Sequence, residues 1–320
     1  MPDDPDELFV IDHLLQHRPK MSAPVVHQGD AEVRLRAAGD DGARISFDTI
    51  VTVDAMIEGV HWDHRLTAEE VGWKLVAVNA SDVNAMGCTP TWGVMTIALP
   101  RPLNRRWVQD FARGMGSALT EWSIDLVGGD TTASTGPIMA TLTMAGQGEH
   151  IVGRSNAQVG DDVWVTGTLG CAAAGFLLDS PSPDCHQALA RPYPPIGLGA
   201  ALAQADVVHS MMDLSDGLSR DLSTLCKTSG VGAIVQPELL PMREEVAKQP
   251  TALSMAVGFG EDYGLLFTAD PKHRDHILQL SEPWSSVSRI GIVDDRQDLG
   301  ARLQNMSWPA HGFSHFGDES

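Results

Sequence analysis

The sequence predicts a mixed α/β (α+β) chain of two halves whose sheets are mainly antiparallel. Three observations carry that reading. Apolar runs with a period of two alternate with runs at helical spacing, and most runs are bounded by Gly, Pro or Asp. A polar, turn-rich segment, VGRSNAQVGDD at about 152–162, then separates two stretches that each repeat the alternation. The expected domains are therefore 1–151 and 152–320. A chain of 320 residues also exceeds the usual size of one core.

The elements follow in order. Residues 7–17, ELFVIDHLLQH, carry apolar positions at helical spacing and read as a short opening helix. AEVRL and ARISFDTIVTVDAMI alternate as strands, and AAGDDG between them reads as the bend of a hairpin. In TAEEVGWKLVAVNASDVNAMG, Val71, Leu75 and Val78 repeat as on a helix, and Thr67 with Glu70 forms a capping box at its start. TWGVMTIAL, between Pro90 and Pro100, is a strand. Trp107, Phe111, Met115, Leu119 and Trp122 mark one face of a helix over 104–122. IDLVGGD and PIMATLTMAG complete the first half as two strands around a glycine turn. In the second half, strand VWVTG leads into CAAAGFLLD, a surface loop with SPSPD, and helix LGAALAQA. Strand MMDLSDG, helix LSRDLSTLCKTSG and strand AIVQ follow, and SMAVGFGEDYGLLFTAD reads as one last strand.

Composition excludes several functions. No run approaches the roughly 20 apolar residues of a membrane helix, and the acidic start MPDDPDELF is unlike a signal peptide. Cys88, Cys171, Cys185 and Cys226 are scattered without metal-type spacing, which suits a reducing, cytoplasmic setting. Cys171 has no paired base in view and reads as a small buried residue. A formal net charge of −20 argues against nucleic acid. A polyphosphate could be held by such a chain only through divalent cations on carboxylates.

Candidate carboxylates recur at element ends beside small residues: Asp54 in IVTVD, Asp82 in NASDVNAMG, Asp130 in DLVGGD, Asp213 and Asp216 in MDLSDG, and Glu261 and Asp262 in GFGEDY. Each alone reads as a turn or cap residue. Together they offer the hard oxygen ligands that Mg²⁺ takes alongside substrate phosphates. His61, in EGVHW, lies seven residues past Asp54. There is no GxxxxGK[ST] loop and no protein-kinase glycine loop.

These segments, in this order, resemble the thiamine-monophosphate kinase family of the PurM-like (AIR synthetase-related) superfamily. TVDAMIEGVHW, GWKLVAVNASDVNAMGCTPTW, LVGGDTT, GRSNAQVGDDVWVTGTLGCAAAG, RPYPP, MDLSDGLSRDL, GEDYGLLFT and GFSHF carry the likeness, from about residue 7 to 316. The resemblance implies a PurM-like two-domain fold, a homodimer, and ATP-dependent phosphorylation of thiamine monophosphate by direct, Mg²⁺-assisted in-line transfer. It places Asp30, Asp54, Asp82, Asp130, Asp213 and Asp216 on several Mg²⁺ ions. Gly129, Asp130, Arg154 and Ser215 are implied at ATP, and His61, Glu261 and Phe313 at thiamine phosphate. No residue of the motifs is expected to act as a general base, because the acceptor phosphate, with a second pKa of about 6, is already ionised. The chain departs from the pattern at Ala31, where a second aspartate is usual, at Phe259 in place of a small residue, and at Phe313 in place of tryptophan or tyrosine. The fuller GDD at 39–41 is assigned to the turn. Ala31 and Phe259 leave two other readings open: a diverged superfamily enzyme with another substrate, and a non-catalytic nucleotide-binding paralogue.

Overall fold

The computed structural model describes residues 25–28, 31–34, 40–310 and 312. The helix expected at 7–17, Asp30 and Phe313 lie outside them.

Strands β1 (Val25–Gln28) and β2 (Ala31–Arg34) pair antiparallel, with Gln28 opposite Ala31. This corrects the expected hairpin: AEVR pairs back with VVHQ, not forward across AAGDDG. The forward hairpin starts later, between β3 (Ala43–Arg44) and β4 (Thr49–Ile57). Asp48 closes its bend, its carboxylate accepting from the Ser46 hydroxyl at 2.7 Å and the Thr49 hydroxyl at 3.0 Å. These local bonds fix the turn at Ser46–Asp48, apart from the bend at Asp40–Gly42.

The first sheet has the order β3-β4-β7-β5-β6, with β5 (Thr89–Pro100), β6 (Asp125–Ser134) and β7 (Met139–Gln147). Its pairs are antiparallel except β5 with β6. That parallel pair needs a crossover, and α2 (Arg105–Glu121) supplies it. Of the predicted face of α2, Phe111, Met115 and Leu119 are buried. They pack toward α1 (Ala68–Ala85), whose Thr67–Glu70 capping box forms as expected. A Cβ on Gly114 would lie 1.7 Å from the Glu69 carbonyl oxygen, so the helices meet where only glycine fits. Helix α1 is buried almost all round, because it also touches the second sheet.

The second half contributes α3 (Cys171–Leu177), α4 (Pro183–Ala190), α5 (Leu198–Gln204), α6 (Leu218–Ser229), α7 (Glu244–Ala247), α8 (Ala252–Gly258) and α9 (Arg274–Ser281). Its strands are β8 (Asp162–Thr166), β9 (Ser210–Asp213), β10 (Gly232–Val235), β11 (Leu265–Ala269), β12 (Val287–Asp294) and β13 (Ala301–Leu303). They form one sheet, β13-β10-β12-β8-β11-β9, antiparallel except β10 with β13. The α+β reading with mainly antiparallel sheets therefore holds. Leu218, Leu222 and Leu225 of α6 cluster with Val163 and Val165 on one face of this sheet. Leu198, Leu202 and Ile277 cluster with Trp164 and Phe267 on the other.

SMAVGFGEDYGLLFTAD is not one strand. Its first part is α8, its last is β11, and residues between them form a tight loop with positive φ at Gly260, Glu261 and Tyr263. ALSMAVG lacks a β-branched run and is rich in helix formers, and Gly258 then ends the helix.

The two sheets differ in cover. In the second, β8, β9 and β11 are buried on both faces. The outer face of the first is open: Val53 and Val94 are 61% and 37% exposed, and β6 is exposed along almost its whole length. No helix among the described residues is long and apolar enough to cross a membrane.

Candidate active site

A cavity of about 930 Å³ lies where α1, β4, the bend at Asp40–Asp41, Arg154, the end of β9 and the loop after α8 meet. Strand alternation turns Thr52 and Asp54 inward toward α1. The C-terminal part of α1 answers with Asp82 and Ser81, and β9 ends on Asp213.

At one end these carboxylates converge. One oxygen from each of Asp41, Asp82 and Asp213 lies within 4.8 Å of the others. The Thr52 hydroxyl donates to Asp82 Oδ2 at 2.6 Å, and the Ser81 hydroxyl to Asp213 Oδ2 at 2.9 Å. Asp41 Oδ2 and Asp213 Oδ1 are buried and have no hydrogen-bond partner among the described residues. Burial, and then repulsion from Asp54, Asp213 and Asp41, pushes the Asp82 carboxyl well above the usual carboxylate range. Burial and the Asp41 charge do the same to Asp213. Asp41 itself is raised by burial, although Arg154 opposes the shift. Arg154 pairs through Nη2 with Asp41, and its backbone N–H donates to Asp40 Oδ1 at 2.8 Å. Burial works against the Arg154 charge, but Asp41, Asp213 and Asp221 outweigh it and raise its pKa. Behind this centre, Asp221 is buried and accepts from the Asp216 and Gly217 N–H groups at 3.2 and 3.1 Å.

The other end holds His61, Glu261 and Lys74. His61 Nδ1 accepts the Ile57 N–H at 3.0 Å, so the neutral ring carries its proton on Nε2. Glu261 has φ of +64°, and its N–H donates to the Ser215 carbonyl at 2.9 Å. Gly260 permits the close approach: a Cβ there would lie 2.3 Å from that same carbonyl oxygen. Glu261 Oε2 pairs with Lys74, which is 1% exposed, and Oε1 accepts from the Tyr263 hydroxyl at 3.4 Å. Phe259 also lines this end and meets Phe176 with ring centroids 5.4 Å apart.

Of the residues singled out in the sequence, Asp54, Asp82, Asp213, Asp216, Ser215, Arg154, His61 and Glu261 line this one cavity. Gly129 and Asp130 do not line it. They lie on β6, the exposed edge strand, beyond β7 and β5 from β4. Sequence reasoning missed Asp40, Asp41, Lys74 and Asp221. The GDD at 39–41 was the available signal for the first two, and reading it only as a bend hid it: Asp40–Gly42 is a bend, and it delivers both carboxylates to the cleft. Lys74 lay within a helical apolar pattern that gave no reason to expect a buried ammonium.

Comparison with known proteins identifies the family. The family model "AIR synthase related protein, N-terminal domain" matches residues 39–148, and its C-terminal counterpart matches 158–304. The thiamine-monophosphate kinase of Haemophilus influenzae is 32% identical over 311 residues, covering 90% of this chain and 93% of that protein. A solved structure of AaThiL complexed with AMPPCP and TMP superposes with a TM-score of 0.80 at 28% identity, covering 97% of this chain and 96% of that one. The thiamine-monophosphate kinase structure from Stenotrophomonas maltophilia gives a TM-score of 0.74 at 31% identity, covering 94% and 96%. Both family models matched in order, and a relative of this identity matched over nine-tenths of its length, place the chain among the AIR-synthase-related proteins, and within them it belongs to the thiamine-monophosphate kinase family.

Proposed function

We propose that this chain transfers the terminal phosphoryl group of ATP to the phosphate of thiamine monophosphate, giving thiamine diphosphate and ADP. The observation that carries the reading is the convergence of Asp41, Asp82 and Asp213 beside Arg154 in a cavity at the large end of the range for ligand sites. The kinship with thiamine-monophosphate kinases, and a relative solved with AMPPCP and TMP, supply the two substrates.

The donor set fits Mg²⁺. It is all oxygen, and two of its buried carboxylate oxygens lack any partner among the described residues. Asp41, Asp82 and Asp213, with Asp54 and Asp216 nearby, would hold the metal, while Asp30 remains a further candidate ligand. Bound Mg²⁺ would neutralise phosphate charge, which phosphoryl transfer chiefly requires. Arg154 adds a fixed cation for the nucleotide phosphates, and Ser215 lies beside it on the cavity wall. The acceptor, already ionised, needs alignment and no base. His61, with its proton on Nε2, offers a donor to the acceptor phosphate. Glu261 favours the cationic thiazolium ring, and Phe313 is proposed as its aromatic neighbour.

The open sheet face supports a homodimer. Val53, Ala55 and Ile57 lie on that face and also line the cavity. In register, Ala55, Thr141, Thr96 and Asp130 form one cross-strand row of the same face. A second copy packed there would cover the exposed apolar side chains and bring its Gly129 and Asp130 toward the partner's nucleotide. We read residues 1–151 and 152–320 as the two domains of each subunit. Four buried free thiols suit the cytoplasm.

The test is turnover. Purified protein with ATP, Mg²⁺ and thiamine monophosphate should form thiamine diphosphate and ADP in equal amounts. ATP binding without product would favour the non-catalytic reading. Mixing inactive Asp82→Asn and Asp130→Asn proteins should restore part of the activity if each cleft borrows Asp130 from its partner. No restoration in a mixture shown to exchange subunits would place Asp130 outside the site.

A further inference from the structure

We infer that Lys74 is a positioning residue for the acceptor end of the cleft, acting through Glu261; this rests on the proposed role of Glu261 at thiamine monophosphate. A lysine is rarely buried unless its ammonium is paired. Lys74 sits in the second turn of α1 at 1% exposure, lines the cavity, and bonds Glu261 Oε2. Among the described residues, the cavity is lined by seven carboxylates and by the basic side chains of Arg154 and Lys74. Each cation is committed to a different carboxylate, Arg154 to Asp41 and Lys74 to Glu261. The division separates a phosphate end from a carboxylate end within one acidic cleft.

The loop geometry shows why Glu261 needs such a partner. The left-handed backbone at Glu261 and Tyr263 is held by their N–H groups on the Ser215 and Leu214 carbonyls, at 2.9 and 2.8 Å. Those bonds set the backbone but leave the glutamate side chain free to turn. Lys74 on one oxygen and the Tyr263 hydroxyl on the other fix it. Lys74 reaches from α1 and Glu261 from the loop after α8, so the pair also ties the two sheets' helices together across the cavity. The lysine holds one carboxylate oxygen of Glu261 and so aims the side chain. It does not itself contact the reacting phosphates.

Five proteins test this: wild type, Lys74→Met, Glu261→Gln, the double variant, and Lys74→Arg as the conservative replacement. Lys74→Met should raise KM for thiamine monophosphate at least about tenfold while KM for ATP stays within twofold. Lys74→Arg should recover part of the loss, and the double variant should be no worse than Glu261→Gln alone. An equal rise in both KM values, or effects that multiply in the double variant, would overturn the inference. If Lys74→Met does not fold, the double variant removes both charges together and Lys74→Arg keeps the cation, so these two decide. Binding of thiamine monophosphate with an inert ATP analogue, read from the shift in melting temperature, is measured alongside. Wild type that binds but does not turn over would count against the proposed reaction alone, and equal binding shifts in wild type and Lys74→Met would count against the role of Lys74.

Discussion

Replacing Asp82 by Asn should stabilise the metal-free protein while removing its activity. One carboxylate oxygen of Asp82 lies within 4.8 Å of its counterparts on Asp41 and Asp213. Two unit charges at that separation repel by about 3.5 kcal/mol at an effective dielectric of about 20. The raised pKa values mean that the cluster already relieves part of this strain by holding protons. A net gain of about 1–3 kcal/mol is therefore expected from Asp82→Asn, or about 2–6 °C in Tm for a chain of this size. The Thr52 hydroxyl keeps an acceptor, because the amide oxygen can replace Asp82 Oδ2. Melting in EDTA and in Mg²⁺, beside turnover of the same samples, reads all three quantities. Wild type should gain Tm from Mg²⁺, and the variant should gain little. Turnover should fall by more than the roughly 100-fold that loss of an outer-shell partner can cost. A variant that melts lower than wild type in EDTA, yet keeps the full Mg²⁺ shift, would refute the reasoning.

Other outcomes follow from the same structure. Asp41, Asp82 and Asp213 have folded pKa values above their unfolded ones, so their contribution is complete below pH of about 3.8 and is lost as pH rises through the folded values. The metal-free protein should thus weaken with rising pH, as measured by Tm in EDTA, and Mg²⁺ should flatten the profile. Asp262 is buried, accepts the Gly170 N–H at 3.1 Å, and burial raises it to about 8. Asp262→Asn should therefore gain Tm over wild type increasingly from pH of about 4 to about 8 and no further; a constant gap would contradict this. Gly260→Ala places a Cβ 2.3 Å from the Ser215 carbonyl at a φ of +85°, and should cost about 1–3 kcal/mol and raise KM for thiamine monophosphate more than for ATP. Val94→Glu puts a charge on the open sheet face, and gel filtration should show a monomer where wild type elutes as a dimer.

Much of this was legible in the sequence, for identifiable reasons. Thr67 and Glu70 announce a helix start by a local bond that needs nothing else from the fold. Asp213 ends β9, while Asp54 and Asp82 interrupt the apolar patterns of β4 and α1, and the fold brings the three to one cavity. What was hidden depends on long-range packing. Whether ALSMAVG becomes helix or strand turns on what covers it, and the sequence pattern there suits both. GDD at 39–41 looked like a bend, and Asp40–Gly42 is one, but only the position of Arg154 across the cleft, 113 residues from Asp41, shows that the bend belongs to the cavity. The pairing of β2 with β1 instead of β3 was concealed for a similar reason, since alternation marks a strand without naming its neighbour. Lys74 is the extreme case. Its partner is 187 residues away, and nothing local separates a buried lysine from an exposed one.

The account stands on carboxylates from separate parts of the chain sharing divalent cations. A crystal grown with Mn²⁺ and a non-hydrolysable ATP analogue tests it most directly, through the anomalous signal of the metal. The account predicts a peak bounded by the carboxylates of Asp41, Asp82 and Asp213, in contact with the nucleotide phosphates. A bound nucleotide with no peak there, or with metal only at other carboxylates, would contradict it.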